Sequence, residues 1–145
     1  LKPEETIDFH LKSTWQSVSR MYNEIASTYG GTMATGYILL SIDPEGTPST
    51  SLGPKMGMES TSLSRTLKSM EDRLLIWREK SSEDKRMVFI HLTEEGKRMR
   101  NLARSTVVEF NSKVFKQIPK EKLEAFFYVS SEINRIIDND NKNGI

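Results

Sequence analysis

A mainly α-helical fold carrying one small β-hairpin is what this sequence predicts, on three observations. Apolar residues recur at helical spacing along most of the chain. Two short helical stretches separated by a glycine turn lie near its middle. Directly after them, two strand-like runs flank a polar, charged tip. Helix, turn, helix and hairpin, in that order, make a winged helix-turn-helix, here with long amphipathic helices on either side.

The first helix is expected over about residues 3–29. Ile7, Leu11, Trp15, Val18, Tyr22, Ile25 and Tyr29 recur at spacings of 4, 4, 3, 4, 3 and 4, close to a heptad seam. Pro3 suits a first helical turn, and Glu4, Glu5 and Asp8 complement the positive end of the helix dipole. Gly30-Gly31 ends this helix. Thr32 caps a second one through about residue 42, with Met33, Tyr37, Ile38 and Leu40 expected deep in the core. Asp43-Pro44-Glu45-Gly46 stops it, and Thr47-Pro48-Ser49 reads as a connection.

A short helix follows over residues 51–56, then a turn at Gly57-Met58. The next helix opens on Glu59-Ser60, and its Leu63, Leu67, Met70 and Leu74 (spacings 4, 3 and 4) form one inward stripe. The opposite face presents Ser60, Thr61, Ser64, Arg65 and Lys68. Strands are expected at 76–80 and 86–92 around Ser81-Ser82-Glu83-Asp84-Lys85. Thr93 is an N-cap with Glu94 and Glu95 behind it, opening a helix to about residue 117 whose inward residues are Met99, Leu102, Phe110 and Val114. Pro119 opens the last helix, with Leu123, Phe126, Phe127, Ile133 and Ile137 as its stripe, and the polar tail 138–144 is expected to fray.

A chain of 145 residues fits one domain with a sizeable core. Within 1–145, residues of about 32–92 would form the winged lobe, and about 3–30 and 93–138 the outer helices. The net charge of +1 hides an uneven distribution: −3 over residues 1–54, +4 over 55–104 and 0 over 105–145. The basic excess therefore falls on the helix-turn-helix and hairpin, the footprint expected of a polyanion-binding surface. Zero cysteines exclude a disulfide framework and a thiolate metal site. With two histidines and no spaced ligand set, neither a structural metal nor a cofactor is expected. No apolar run reaches the roughly 18 residues of a membrane span, and no signal-peptide core opens the sequence, so a cytoplasmic location is expected.

Candidate binding residues follow from residue type. Ser60, Thr61, Ser62 and Ser64 place four hydroxyls within five positions, a poor choice for helix propensity alone. With Arg65 and Lys68 they offer short donors and two cations suited to base edges and phosphates in a major groove. A plain solvated face is the competing reading. Thr50 or Ser51 is expected to cap the preceding helix, either touching a phosphate through its first amides as well or serving as a cap alone. Lys80 and Lys85 beside the hairpin suit phosphates, or are simply solvated.

The run Asp84-Lys85-Arg86-Met87-Val88-Phe89-Ile90-His91-Leu92-Thr93-Glu94-Glu95-Gly96 resembles the wing of the MarR family of bacterial transcription regulators: Asp, any residue, Arg, five mostly apolar residues, Leu-Thr, two residues, Gly. More loosely, Gly57-Met58-Glu59-Ser60-Thr61-Ser62-Leu63-Ser64-Arg65 resembles the turn and start of that family's recognition helix. The element order matches over nearly the whole chain. Two positions depart from the pattern. Leu74-Leu75 stands where the family often has Gly-Leu, so the helix is expected to end differently or run longer. Gly53-Pro54 lies inside the first helix of the motif, where proline is tolerable only within a first turn.

The wing places Arg86 to enter a minor groove, with Asp84, two residues away on the same side of an extended strand, accepting from its guanidinium. A surface ion pair of little consequence is the alternative. The outer helices have more apolar face than one small winged lobe covers, so a two-fold homodimer is expected, against packing within a monomer. The resemblance implies double-stranded DNA as partner, read as an inverted-repeat operator by a dimeric repressor. It also implies a small phenolic or amphipathic effector, for which Trp15, Tyr22, Tyr29, Tyr37 and Phe110 are candidate lining unless they are core. A winged-helix protein-interaction module without DNA binding is the alternative, though it calls for an apolar patch where the hydroxyls stand. No catalytic residues are assigned: phosphate loop, zinc-protease motif and nucleophile–base pair are all missing from the sequence.

Overall fold

The computed structural model describes residues 1–144 and divides into two compact units, Leu1–Thr106 and the residues from Val107 onward. A 3-10 turn at Pro3–Glu5 leads into α1 (Ile7–Ser27) and α2 (Met33–Ser41). Then come β1 (Thr47–Pro48), α3 (Ser49–Met56), α4 (Ser60–Asp72), β2 (Ile76–Lys80), β3 (Val88–Leu92), α5 (Glu94–Gln117) and α6 (Lys120–Lys142). Six helices with a small antiparallel sheet are the predicted fold class. The first unit holds everything through the start of α5, and the second holds the end of α5 and α6.

The core of the first unit is built by α2, α3, α4 and the sheet. Ile38 and Leu39 from α2, Leu52 from α3, Leu67 and Met70 from α4, and Ile90 from β3 are all essentially removed from water. Burial on this scale, roughly 1.5–3 kcal/mol for each large side chain, is what holds the lobe together. The sequence placed Met33, Tyr37 and Leu40 at depth in α2, but these are only half-buried; Thr35 and Leu39 take the buried positions with Ile38. An apolar residue on every side of a short helix leaves no periodic clue to its inward face. Thr32 caps α2 as expected, its Oγ1 accepting from Thr35 N at 3.2 Å.

The sheet has the order β1-β3-β2, and β1 pairs Thr47 with Ile90 and Pro48 with Phe89. Residues 47–49 therefore do more than connect. A two-residue strand carries no alternation to detect, and Pro48 is tolerated because β1 is an edge. Thr47 is buried, its Oγ1 accepting from Asp43 N at 2.8 Å.

Pro54 does not lie in a first turn: α3 begins at Ser49, which puts the proline in the second. The i−4 carbonyl it leaves without a helical donor belongs to Thr50, an exposed residue that water can serve. Gly57 then ends α3 at φ 62°, its N–H directed to the carbonyls of Gly53 and Pro54.

The end of α4 departs from the inward-stripe reading. Leu74 lies outside the helix at φ 60° and is 71% exposed, while Leu75 is the buried residue. Its φ is the left-handed turn a glycine would supply: Leu75 N donates to Met70 O at 2.9 Å and Leu74 N to Glu71 O at 3.0 Å, closing the helix. The chain ends the helix as Gly-Leu would, at the cost of strain in a leucine that packs little. Leu74→Gly is therefore expected to stabilise the fold by about 0.5–1 kcal/mol in urea unfolding. Lost stability instead would show that Leu74 packs against something in solution.

The polar C-terminal residues expected to fray are helical as far as Lys142. Along α1, only Tyr22 of the predicted seam is buried; Ile7, Leu11 and Trp15 are 56%, 45% and 52% exposed. Phe126, Phe127 and Ile137 of the second unit are each more than half exposed, and along α5 and α6 the predicted inward residues reach at most partial burial.

Candidate nucleic-acid interface

Helical periodicity turns α4 so that Leu63, Leu67 and Met70 enter the core while Ser60, Thr61, Ser62, Ser64, Arg65 and Lys68 all face water. Ser62, whose direction the sequence left least certain, is exposed with the rest. Among the described residues, no hydrogen bond joins the hydroxyls of Ser60, Thr61, Ser62 or Ser64 to the protein, and Arg65 has no acidic partner. Lys68 differs, because its Nζ is 3.0 Å from Asp72 Oδ1 one turn on. Both ends of that pair are more than half exposed, so it can exchange for a phosphate at little cost. Glu59 occupies the N-cap without a side-chain hydrogen bond, leaving the first amides of α4 open to an anion.

Thr50 and Ser51 do not cap α3; the N-cap is Pro48, and the two residues sit inside the first turn. Ser51 is half-buried, its hydroxyl donating to Pro48 O at 2.8 Å, whereas Thr50 is exposed. The helix starts earlier than predicted because proline's fixed φ makes a sharp extended-to-helix junction without a side-chain acceptor.

Asp84 and Arg86 do not lie on an extended strand either. β3 begins at Val88, and Met87 N donates to Asp84 O at 2.9 Å, so 84–87 is a β-turn. Asp84 Oδ1 accepts from Arg86 N at 3.0 Å, and Ser81 Oγ accepts from the N–H groups of Glu83 and Asp84, each at 3.2 Å. These local bonds organise the wing tip and explain the placing of Ser81 and Asp84 as loop architecture. Arg86 Nε is 3.4 Å from the same Oδ1, with the arginine side chain 93% exposed, so its guanidinium stands off the protein. Lys85 and Lys80 are exposed beside it.

The hairpin is rooted more firmly than the sequence revealed. Trp77 and His91 face each other across the ladder with rings stacked at 4.3 Å, and His91 Nε2 lies 2.8 Å from Glu79 Oε2. His91 also packs over Gly46 so closely that a Cβ there would run into its ring, and Gly46 takes φ 101°. His91 is thus a packing residue. Sequence reading missed the Glu71–Arg78 ion pair between α4 and β2, although strand alternation places Arg78 on the same face as buried Ile76.

In the first unit, the rings of Tyr22 and Tyr37 meet edge-on at 6.2 Å, and burial raises the pKa of each above the ordinary phenol value. Both therefore stay protonated at neutral pH. No group of three or more metal-ligating side chains forms among the described residues, and none of their helices is long and apolar enough to cross a membrane.

Residues 20–102 match the family model described as transcriptional regulator SarA/Rot. No curated protein sequence matches the chain. Among solved structures, it is similar to MepR of S. aureus in complex with DNA, at a TM-score of 0.79 and 16% identity over 92% of this chain and 98% of that one. It is also similar to CouR from Rhodococcus jostii bound to p-coumaroyl-CoA, at 0.77 and 23% over 91% and 94%. A mutant MarR from E. coli complexed with operator DNA gives 0.75 and 20% over 85% and 89%. The fold is thus that of the MarR-type regulators.

Proposed function

Since the chain belongs to the SarA/Rot family of transcriptional regulators, we propose that this DNA-binding regulator acts as a homodimeric repressor of an inverted-repeat operator, released by a small-molecule effector. The observation that carries the DNA half of this reading is the outward face of α4. Four exposed hydroxyls and Arg65 stand there without partners among the described residues, in the helix that follows the motif's turn. That helix enters a major groove, and the wing carries Arg86 into the neighbouring minor groove. Residues of about 32–92 serve as the reading lobe, in a cytoplasmic, non-enzymatic protein.

The dimer follows from exposed apolar surface in each unit: Ile7, Leu11 and Trp15 on α1, and Phe126, Phe127 and Ile137 on α6. Patches of this kind are sites where another protein surface packs, and the helices at about 3–30 and 93–138 are the ones a second copy covers. Two-fold symmetry then fixes half-sites about 10 base pairs apart. The effector in this reading is a phenolic or amphipathic molecule that favours a lobe geometry DNA does not accept.

Selection of bound fragments from a genomic pool, with sedimentation of the complex, tests this reading. An inverted repeat is expected, carrying two chains per site, with affinity falling steeply as salt rises. Retention of fragments without any sequence preference overturns the operator reading, and one chain per site overturns the dimer.

A further inference from the structure

The two elements that reach DNA in this reading share a buried core at the root of the wing, and one ion pair joins them beyond it. β1 pairs with β3 at only two positions, and the wing from Lys80 to Val88 extends past that support. A two-stranded ribbon twists easily, so its tip moves relative to α4 unless something holds it. Arg78, midway along β2, lies opposite buried Ile90 and on the same face as buried Ile76. Its Nε is 3.2 Å from Oε2 of Glu71, in the last turn of α4 next to buried Met70. Only about a third of each side chain remains exposed (35% and 34%). Among the described residues, the other ion pairs lie within a single helix, within the wing turn or within the sheet. This one alone bridges the helix and the wing.

We propose that Glu71 and Arg78 are positioning residues: their ion pair fixes β2 to α4, so that Arg86 and the 60–68 face meet adjacent grooves in one register. The inference rests on the DNA-binding reading above. A brace of this kind acts by preorganisation, removing wing motion before binding instead of adding a contact to the duplex. It gives an unusual sign. Deleting an acidic charge beside a polyanion ordinarily strengthens binding through reduced repulsion. If Glu71 holds the wing, deleting its charge weakens binding.

The test compares Glu71→Gln with the parent chain on the selected operator, by titration and by hydroxyl-radical footprinting. Glu71→Gln is expected to bind roughly three- to tenfold more weakly, losing protection in the minor groove while keeping it in the major groove. Arg86→Ala is expected to cost less in the Glu71→Gln background than in the parent, because a loosened wing has less to lose. Exchanging the charges (Glu71→Arg with Arg78→Glu) is expected to restore both the affinity and the minor-groove footprint. Binding by Glu71→Gln equal to or tighter than the parent overturns the brace, as does an undiminished cost of Arg86→Ala. So does failure of the exchanged pair to restore binding while its melting temperature matches the parent. A parent chain that selects no DNA is a different result, refuting the DNA-binding reading itself and the brace with it.

Discussion

Replacing Gly96 with alanine is expected to destabilise the fold by about 3 kcal/mol or more, lowering the melting temperature by about 10 °C. Gly96 lies in the first turn of α5 and is buried. A Cβ there would run into the backbone carbonyl of Leu75 and come within 3.3 Å of Leu92 Cδ2. The first obstacle is main chain, which cannot swing aside as a flexible side chain can. The junction is also tied by hydrogen bonds. Leu75 O accepts from Thr93 N at 3.1 Å, Leu74 O accepts from Thr93 Oγ1 at 2.6 Å, and Thr93 Oγ1 in turn accepts from Gly96 N at 3.0 Å. Relieving the clash separates the start of α5 from the end of α4, and so disturbs the root of the wing. Gly36→Ala is the matched control. Its Cβ would meet Ala103 Cβ at an ordinary 3.7 Å inside a helix, so a change between zero and about 1 kcal/mol of added stability is expected. Circular-dichroism melts of the two variants check the contrast, and a Gly96→Ala protein melting with its parent would refute the close packing described.

Arg86→Ala is expected to weaken operator binding by tenfold or more while leaving the melting temperature within about 1 °C. The guanidinium contributes almost nothing to the fold, being 93% exposed with one long approach to Asp84. The backbone bonds that shape the turn come from Ser81 and Asp84, so truncating Arg86 leaves the tip intact. The loss is expected to be largest on operators with a narrow A·T-rich minor groove beside the major-groove site, and smaller elsewhere. Lys85→Ala provides the comparison: a phosphate contact weakens binding evenly across sequences and reduces the salt slope by about one. Fluorescence anisotropy over a salt series separates the two. Equal affinity and equal salt slope for Arg86→Ala and its parent would remove Arg86 from the mechanism.

What the sequence determined by itself is whatever depends on near neighbours along the chain. The 4, 3 spacing of Leu63, Leu67 and Met70 faced α4 correctly, since three or four residues complete a turn whatever surrounds them. Thr32 and Thr93 announced their helices because a cap is satisfied within three residues. The limits of β2, fixed by turn chemistry and alternation, also came through.

Only the tertiary structure decided the rest, because it turns on groups far apart in sequence or on a single backbone angle. Leu74 broke the inward stripe by adopting a left-handed φ that its residue type does not signal. β1 exists because β3, some forty residues later, pairs with it. Asp84 and Arg86 met through a turn and not along a strand, since the loop's own hydrogen bonds were locally better satisfied that way. The bridge from Glu71 to Arg78 required the packed positions of Met70, Ile76 and Ile90 beneath it, and no spacing rule joins a helix to the strand it rests on. Local periodicity told which residues face outward; long-range packing told which of them are held in place.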